Sequence, residues 1–143
     1  MLCIVALGLA TACSKEEKEN ASIIGKWRSI YCLVENYDYW KAGTTMKIDT
    51  NIYYDDNKIG KSWEFTADGY LKREGEQKLK YAVIGDNLVL RRNDAQENIV
   101  GSMKIMEIHE EWIKLFSVSD NRGDDGQGTH KEETLVLSKA LVQ

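Results

Sequence analysis

From residue 23 to residue 138 the chain is cut by turn-forming residues into short runs in which apolar side chains recur at every second position, and this pattern constrains the fold most tightly. The turns fall at Asp55-Asp56-Asn57, Ala67-Asp68-Gly69, Glu74-Gly75, Gly85-Asp86-Asn87, Asn93-Asp94 and 120–128. Proline is absent, so the bends rest on Gly, Asn and Asp, the residues of tight hairpins. Strands are predicted near 26–35, 44–54, 61–66, 70–74, 79–84, 88–92, 98–109, 111–119 and 129–138. Trp63 and Phe65 oppose Ser62, Glu64 and Thr66; Leu79, Tyr81 and Val83 oppose Lys78, Lys80 and Ala82; Trp112 and Phe116 share a face. One face is dry and the other wet. Sequential strands joined by short links leave exposed edges in an open sheet, and closure removes them. The expected fold is therefore all-β, an antiparallel up-and-down barrel of about eight strands.

Gly25-Lys26-Trp27 opens the first strand. A glycine just ahead of an indole lets the backbone bend at the closed end of a barrel while the ring plugs its bottom. Trp27, Trp63, Tyr81, Trp112 and Phe116 are expected first of all in the core; with Tyr31 and Phe65 they also form the candidate lining of a ligand cavity. Cys32, within Ile30-Tyr31-Cys32-Leu33-Val34, reads as a buried thiol acting as a small hydrophobe. The weakly patterned stretch 36–43, with Tyr37, Tyr39 and Trp40, reads as a lid or short helical turn over the barrel mouth.

Several chemistries lack their residues. A net charge of −4 without a basic stripe disfavours nucleic acid. His109 and His130 have no second ligand at helical spacing, so no metal site is expected. There is no Gly-x-Ser-x-Gly elbow and no glycine-rich loop leading into a helix, which leaves acyl transfer and nucleotide chemistry without support. Glu132-Glu133 and Asp55-Asp56 are adjacent pairs, which point to opposite faces of a strand or into water rather than converging. In the loop 120–128, Asn121, Asp125, Gly126 and Glu132 occupy some places of a calcium loop, but Gly123 takes its third place. Arg122-Gly123-Asp124 spells a tripeptide too short to carry weight, and a mobile hairpin loop is the default there. No catalytic residue and no cofactor are expected, and the chain reads as a binding protein rather than an enzyme.

Residues 2–12 form an apolar run of signal-peptide length, too short to cross a bilayer as a helix. The run ends in Ala10-Thr11-Ala12-Cys13, which resembles the lipobox of bacterial lipoproteins, with Ala10 where leucine is usual and no Lys or Arg ahead of the run. That resemblance implies a signal peptide over 1–12, lipidation at Cys13 and a tether over 13–22, and the missing positive end puts the expected start a few residues upstream. Ser14-Lys15-Glu16-Glu17 resembles the surface-export signal of Bacteroides-type lipoproteins. The tether carries too few apolar residues to pack.

Three stretches taken in order carry a wider resemblance: Gly25-Lys26-Trp27, then Trp63-Glu64-Phe65-Thr66-Ala67-Asp68-Gly69-Tyr70, then Tyr81-Ala82-Val83-Ile84-Gly85-Asp86-Asn87-Leu88-Val89-Leu90. Together they resemble the lipocalin-like domains of Bacteroides-type lipoproteins, over 23–138 and hence over the barrel domain expected at 23–143. A lipocalin proper ends in a helix packed on the barrel, and the chain after Leu135 is too short for one, so a smaller or incompletely closed barrel is expected. The resemblance implies an outer-membrane lipoprotein of a Gram-negative bacterium, on the cell surface or the periplasmic face, binding a small apolar or amphipathic molecule. The alternative is a filled barrel acting as a structural, accessory or inhibitory module through its loops.

Overall fold

A computed structural model of the protein describes residues 23–140. The signal peptide, Cys13 and tether expected from the sequence lie outside the described residues. Among the described residues nine antiparallel strands succeed one another: β1 (Gly25–Ala42), β2 (Thr45–Tyr54), β3 (Ser62–Phe65), β4 (Tyr70–Arg73), β5 (Leu79–Ile84), β6 (Asn87–Arg92), β7 (Ile99–Ile108), β8 (Trp112–Arg122) and β9 (Gly128–Lys139). A 3-10 turn, Asp56–Lys58, sits between β2 and β3. Each strand pairs with its sequence neighbour from β3 to β9, and β9 returns to β1, so eight strands close into a barrel with β2 as one extra strand. The expected all-β barrel is the observed one, and it is closed.

β1 organises this closure. Its first residues, Gly25 to Arg28, pair with β3, and its upper half, Leu33 to Ala42, pairs with β2 on the same edge. Its other edge runs along β9 from Trp27 to Tyr39. The ladder between β1 and β9 slips by one residue between Ser29 and Tyr31, a β-bulge that leaves Ile30 half-exposed. Trp27 and Ser29 point inward before the bulge, Cys32 and Val34 after it. Tyr31 is thereby turned to the outer wall, because a one-residue slip reverses every later side chain.

The stretch 36–43 corrects one expectation. It is neither lid nor helical turn: β1 runs on to Ala42 and turns back through Gly43 (φ +67°) into β2. Asn36 and Asp38 alternate with Tyr37 and Tyr39, but both faces of this stretch stand beyond the core, so the period-2 pattern lacks a dry side to reveal it. Above the rim β2, β1, β9 and β8 form a raised four-stranded sheet. The hairpin between β8 and β9 is accordingly shorter than the expected loop, spanning only 123–127.

The closed end is packed with large side chains. Trp27 is fully buried, its indole Nε1 donates to the Ile23 carbonyl at 2.8 Å, and the Lys139 ammonium stands 4.4 Å from the ring centroid. Gly25 takes φ +137°, a conformation that favours glycine, and a Cβ there would meet the same Lys139 ammonium at 3.0 Å. Phe65 and Tyr81 stack edge to face at 5.0 Å, with Leu71, Leu88, Ile113 and Leu137 around them.

β8 supplies a second correction. Ile113 and Leu115 face the interior, opposite Leu137 and Leu135 of β9, whereas Trp112 and Phe116 lie half-buried on the outer wall. Both faces of β8 are apolar, so alternation alone leaves its phase open, and the register with β9 sets it. Truncating Trp27 to alanine removes an indole from a sealed site and should cost roughly 3–5 kcal/mol. A thermal midpoint of Trp27→Ala within a degree or two of wild type would show that the indole is not the plug described.

Candidate functional site

The barrel is filled at its closed end and hollow at its open end. A cavity of about 380 Å³ opens at the mouth, at the small end of the range of roughly 300–1,000 Å³ typical of ligand pockets. Its inner wall is apolar, made by Trp63 of β3, Met103 of β7 and Leu135 of β9. Its rim is charged: Lys58 and Lys61 come from the link between β2 and β3, Arg73, Glu74 and Glu76 from the end of β4 and its turn, and Glu133 from β9. A depression of about 450 Å³ along Lys26, Arg28, Glu64 and Lys72 is lined mainly by charged side chains and is less suited to an apolar group.

The charges at the mouth are held by pairing. Lys58 Nζ meets Glu133 Oε1 at 2.9 Å, and Arg73 Nη2 meets Glu76 Oε1 at 2.6 Å. The Arg73 guanidinium also stands over the Trp63 ring, 5.3 Å from its centroid, while its buried Nε has no hydrogen-bond partner among the described residues. Burial pushes the Lys58 ammonium down, yet the hydrogen bond and charge of Glu133 outweigh it and the net direction is up. Beneath this pair lies Cys32, fully buried, paired with Leu135 on β9. Burial first, and the negative charge of Glu133 second, push its thiol up to about 11. The thiol is therefore held protonated at neutral pH, and it packs as the small hydrophobe the sequence led us to expect.

Of the seven aromatic residues proposed as cavity lining, the structure brings only Trp63 to the mouth. Trp27, Phe65 and Tyr81 belong to the packed closed end, where the Tyr81 hydroxyl donates to the Thr66 carbonyl at 2.7 Å. Tyr31, Trp112 and Phe116 face outward. Tyr31 stacks edge to face on Tyr54, and Trp112 packs against His109 at 4.2 Å.

Lys58, Lys61, Arg73, Met103, Glu133 and Leu135 escaped sequence reasoning. Two had a readable signal: Glu133 shares a face with Leu135 and Leu137, and Arg73 shares one with Leu71, so each is a charge at a position that alternation assigns to the dry side. The lysines had none, since they lie in the link at 55–61 and reach the mouth through the tertiary fold.

Glu132 and Glu133 do point to opposite faces. Glu133 is at the mouth, while Glu132 lies outside against His130, with Oε2 to Nε2 at 2.9 Å. Asn121 and Glu132 likewise stand on opposite faces of the raised sheet, so they do not converge on one cation. His109 contacts Glu107 at 3.1 Å on the surface. Comparison of the chain with protein-family models, with curated proteins and with solved structures returned no match.

The sealed thiol makes a testable link between site and stability. An unfolded cysteine titrates near 9 and the folded one near 11, so the stabilisation is complete below pH 9 and is lost as pH rises toward 11, because the unfolded chain gives up its proton first. The shift corresponds to about 2–3 kcal/mol. Urea denaturation at stepped pH should show wild type losing this increment over and above Cys32→Ala. Parallel loss in the two proteins would rule the sealed thiol out as its source.

Proposed function

We propose that this protein is a lipid-anchored, non-enzymatic, lipocalin-like binding protein whose barrel mouth takes a small amphipathic molecule. One observation carries the reading: an open cavity with an apolar wall of Trp63, Met103 and Leu135 under a rim of paired charges. The apolar part of a ligand would lie on that wall, displacing water from it, while its polar end meets Lys61, Glu74 and the Arg73–Glu76 pair at the rim. A purely apolar ligand fits less well, because it would bury those charges without offering them partners.

The anchor in this reading rests on the residues around Cys13. An apolar run, small residues directly before the cysteine and a polar linker after it together match lipidation, and two or more acyl chains hold a protein stably at a membrane. The corresponding location is the outer membrane of a Gram-negative cell, with display on the surface favoured by Lys15-Glu16-Glu17. A second reading, a filled barrel acting through its loops, draws on the packing of the closed half by Trp27, Phe65 and Leu88.

Filling the mouth separates the two readings. 1-Anilinonaphthalene-8-sulfonate, an amphipathic anion, should bind saturably to wild type, and Met103→Trp, which adds volume to the cavity wall, should weaken it roughly tenfold or more. Native mass spectrometry of protein from its own source should show a retained small molecule. Saturable binding that Met103→Trp leaves unchanged would sink the mouth as the site. For the anchor, labelled fatty acid should enter wild type and not Cys13→Ala, which should stay folded and leave the membrane or persist as precursor. Wild type that takes up no label and fractionates with soluble protein would end the lipoprotein reading.

A further inference from the structure

We infer that the free edge of β2 is the pairing site for a second copy of this chain, giving a two-fold dimer in which the raised sheets join edge to edge. The inference is independent of what the mouth binds and of the anchor. Among the described residues β2 is exposed along all ten of its positions and bonds only to β1. Asp55 donates its amide to the Cys32 carbonyl on β1 at 2.9 Å, and backbone amides alternate in direction along a strand. The amides of Tyr54, Ile52, Thr50, Ile48 and Met46 therefore point to the unpaired side. A long, proline-free edge with unpaired backbone groups is a template for another strand, and the usual protections are thin here. Lys47 and Asp49 are its only charges, and both lie on the opposite face from Ile48 and Ile52.

The apolar residues face outward together. Ile48 and Ile52 are each 55% exposed and Tyr54 is 62% exposed, with Met46 in line with them. The strand is held in a defined shape, since Trp40 Nε1 donates to Asp49 Oδ2 at 3.0 Å and the Tyr31 and Tyr54 rings meet at 5.5 Å. The raised sheet has a second unpaired stretch, the upper end of β8, but Asp120 and Arg122 stand there as a 2.9 Å ion pair and guard it.

Of the self-pairing registers of β2, the one with its axis at Thr50 keeps nine residues, Met46 to Tyr54, paired within the strand, against seven for an axis at Asn51. With the two-fold axis at Thr50, Ile48 meets Ile52 of the other copy and Met46 meets Tyr54, each contact made twice, on the outer face. On the other face Asp49 meets Asn51 and Lys47 meets Tyr53, and no like charges are opposed. Moving the axis to Asp49 sets two carboxylates against each other, and moving it to Ile48 leaves Ile52 and Tyr54 beyond the end of the partner strand. The sequence of β2 is thus complementary to itself, and this selects a second copy as the occupant.

The test uses the full chain in a mild non-ionic detergent. Sedimentation velocity should show a dimer, and Ile48→Lys, which enters the interface twice, should raise its dissociation constant about tenfold or more. Thr50→Cys should cross-link to itself under mild oxidant, because facing residues of a bonded antiparallel pair lie at Cα distances that a disulfide can span. Ile84→Cys, likewise exposed but at another hairpin, and the unmodified chain should not. A monomer at every concentration, a dimer indifferent to Ile48→Lys, equal cross-linking of Ile84→Cys, or a Thr50→Cys cross-link to a different protein would each overturn the proposal.

Discussion

Closure of the barrel depends on an 18-residue strand that must satisfy three neighbours at once. β1 gives most of its length to β9 on one edge, but on the other edge it is shared between β3 below and β2 above. Between these partners the residues from Ser29 to Cys32 would be left with unpaired backbone groups beside the core, which is costly where water is excluded. The link at 55–61 fills that gap. Ser29 donates its amide to the Lys61 carbonyl at 2.9 Å, Gly60 donates to the Ser29 carbonyl at 2.7 Å, and Asp55 closes the upper end on Cys32. The buried Ser29 hydroxyl donates to the Lys58 carbonyl and accepts from the Lys61 amide at 3.0 Å. A backbone requirement of the barrel wall thus carries two lysines to the mouth.

The landing point of that link determines the charge at the mouth. Glu133 occupies an inward position on β9, a place where an isolated carboxylate would lose its hydration without return. Lys58, delivered by the link, stands 2.9 Å from it, and the pair remains partly hydrated because the lysine side chain is 46% exposed. The same carboxylate disfavours ionisation of Cys32 beneath it. Across the cavity Arg73 is held from three sides, by Glu76, by the Trp63 ring and by its strand, so its charge is fixed in direction. In the proposed reading, preset charge over an apolar wall favours molecules with both characters.

The bulges in β1 and β7 show why alternation is a local guide only. On β1 the extra residue Ile30 exchanges Tyr31 for Cys32 on the inside, and on β7 the slip between Ile105 and Glu107 restores Ile108 to the interior after Met106 has passed outside. Each bulge reverses the phase of the residues after it, and a reading of the residues in order has no warning of it. The aromatic residues misplaced by alternation, Tyr31, Trp112 and Phe116, lie on strands where a bulge or two apolar faces leave the phase undetermined.

By itself the sequence determined the strand succession, the hairpin turns, the indole plug after Gly25 and the buried thiol, because each depends on residues close in the chain: Gly, Asn and Asp permit the bends, and period 2 exposes one dry face. It also contained two inward charges, Arg73 and Glu133, legible as breaks in that period. Only the tertiary structure decided the rest. The phase of β8 came from its register with β9, the extension of β1 from pairing with β2 outside the core, and the mouth from a link that fills a gap in the wall. These features depend on hydrogen bonds between residues far apart in sequence, such as Ser29 and Lys61, and local side-chain preference carries no record of which distant backbone group will be the partner.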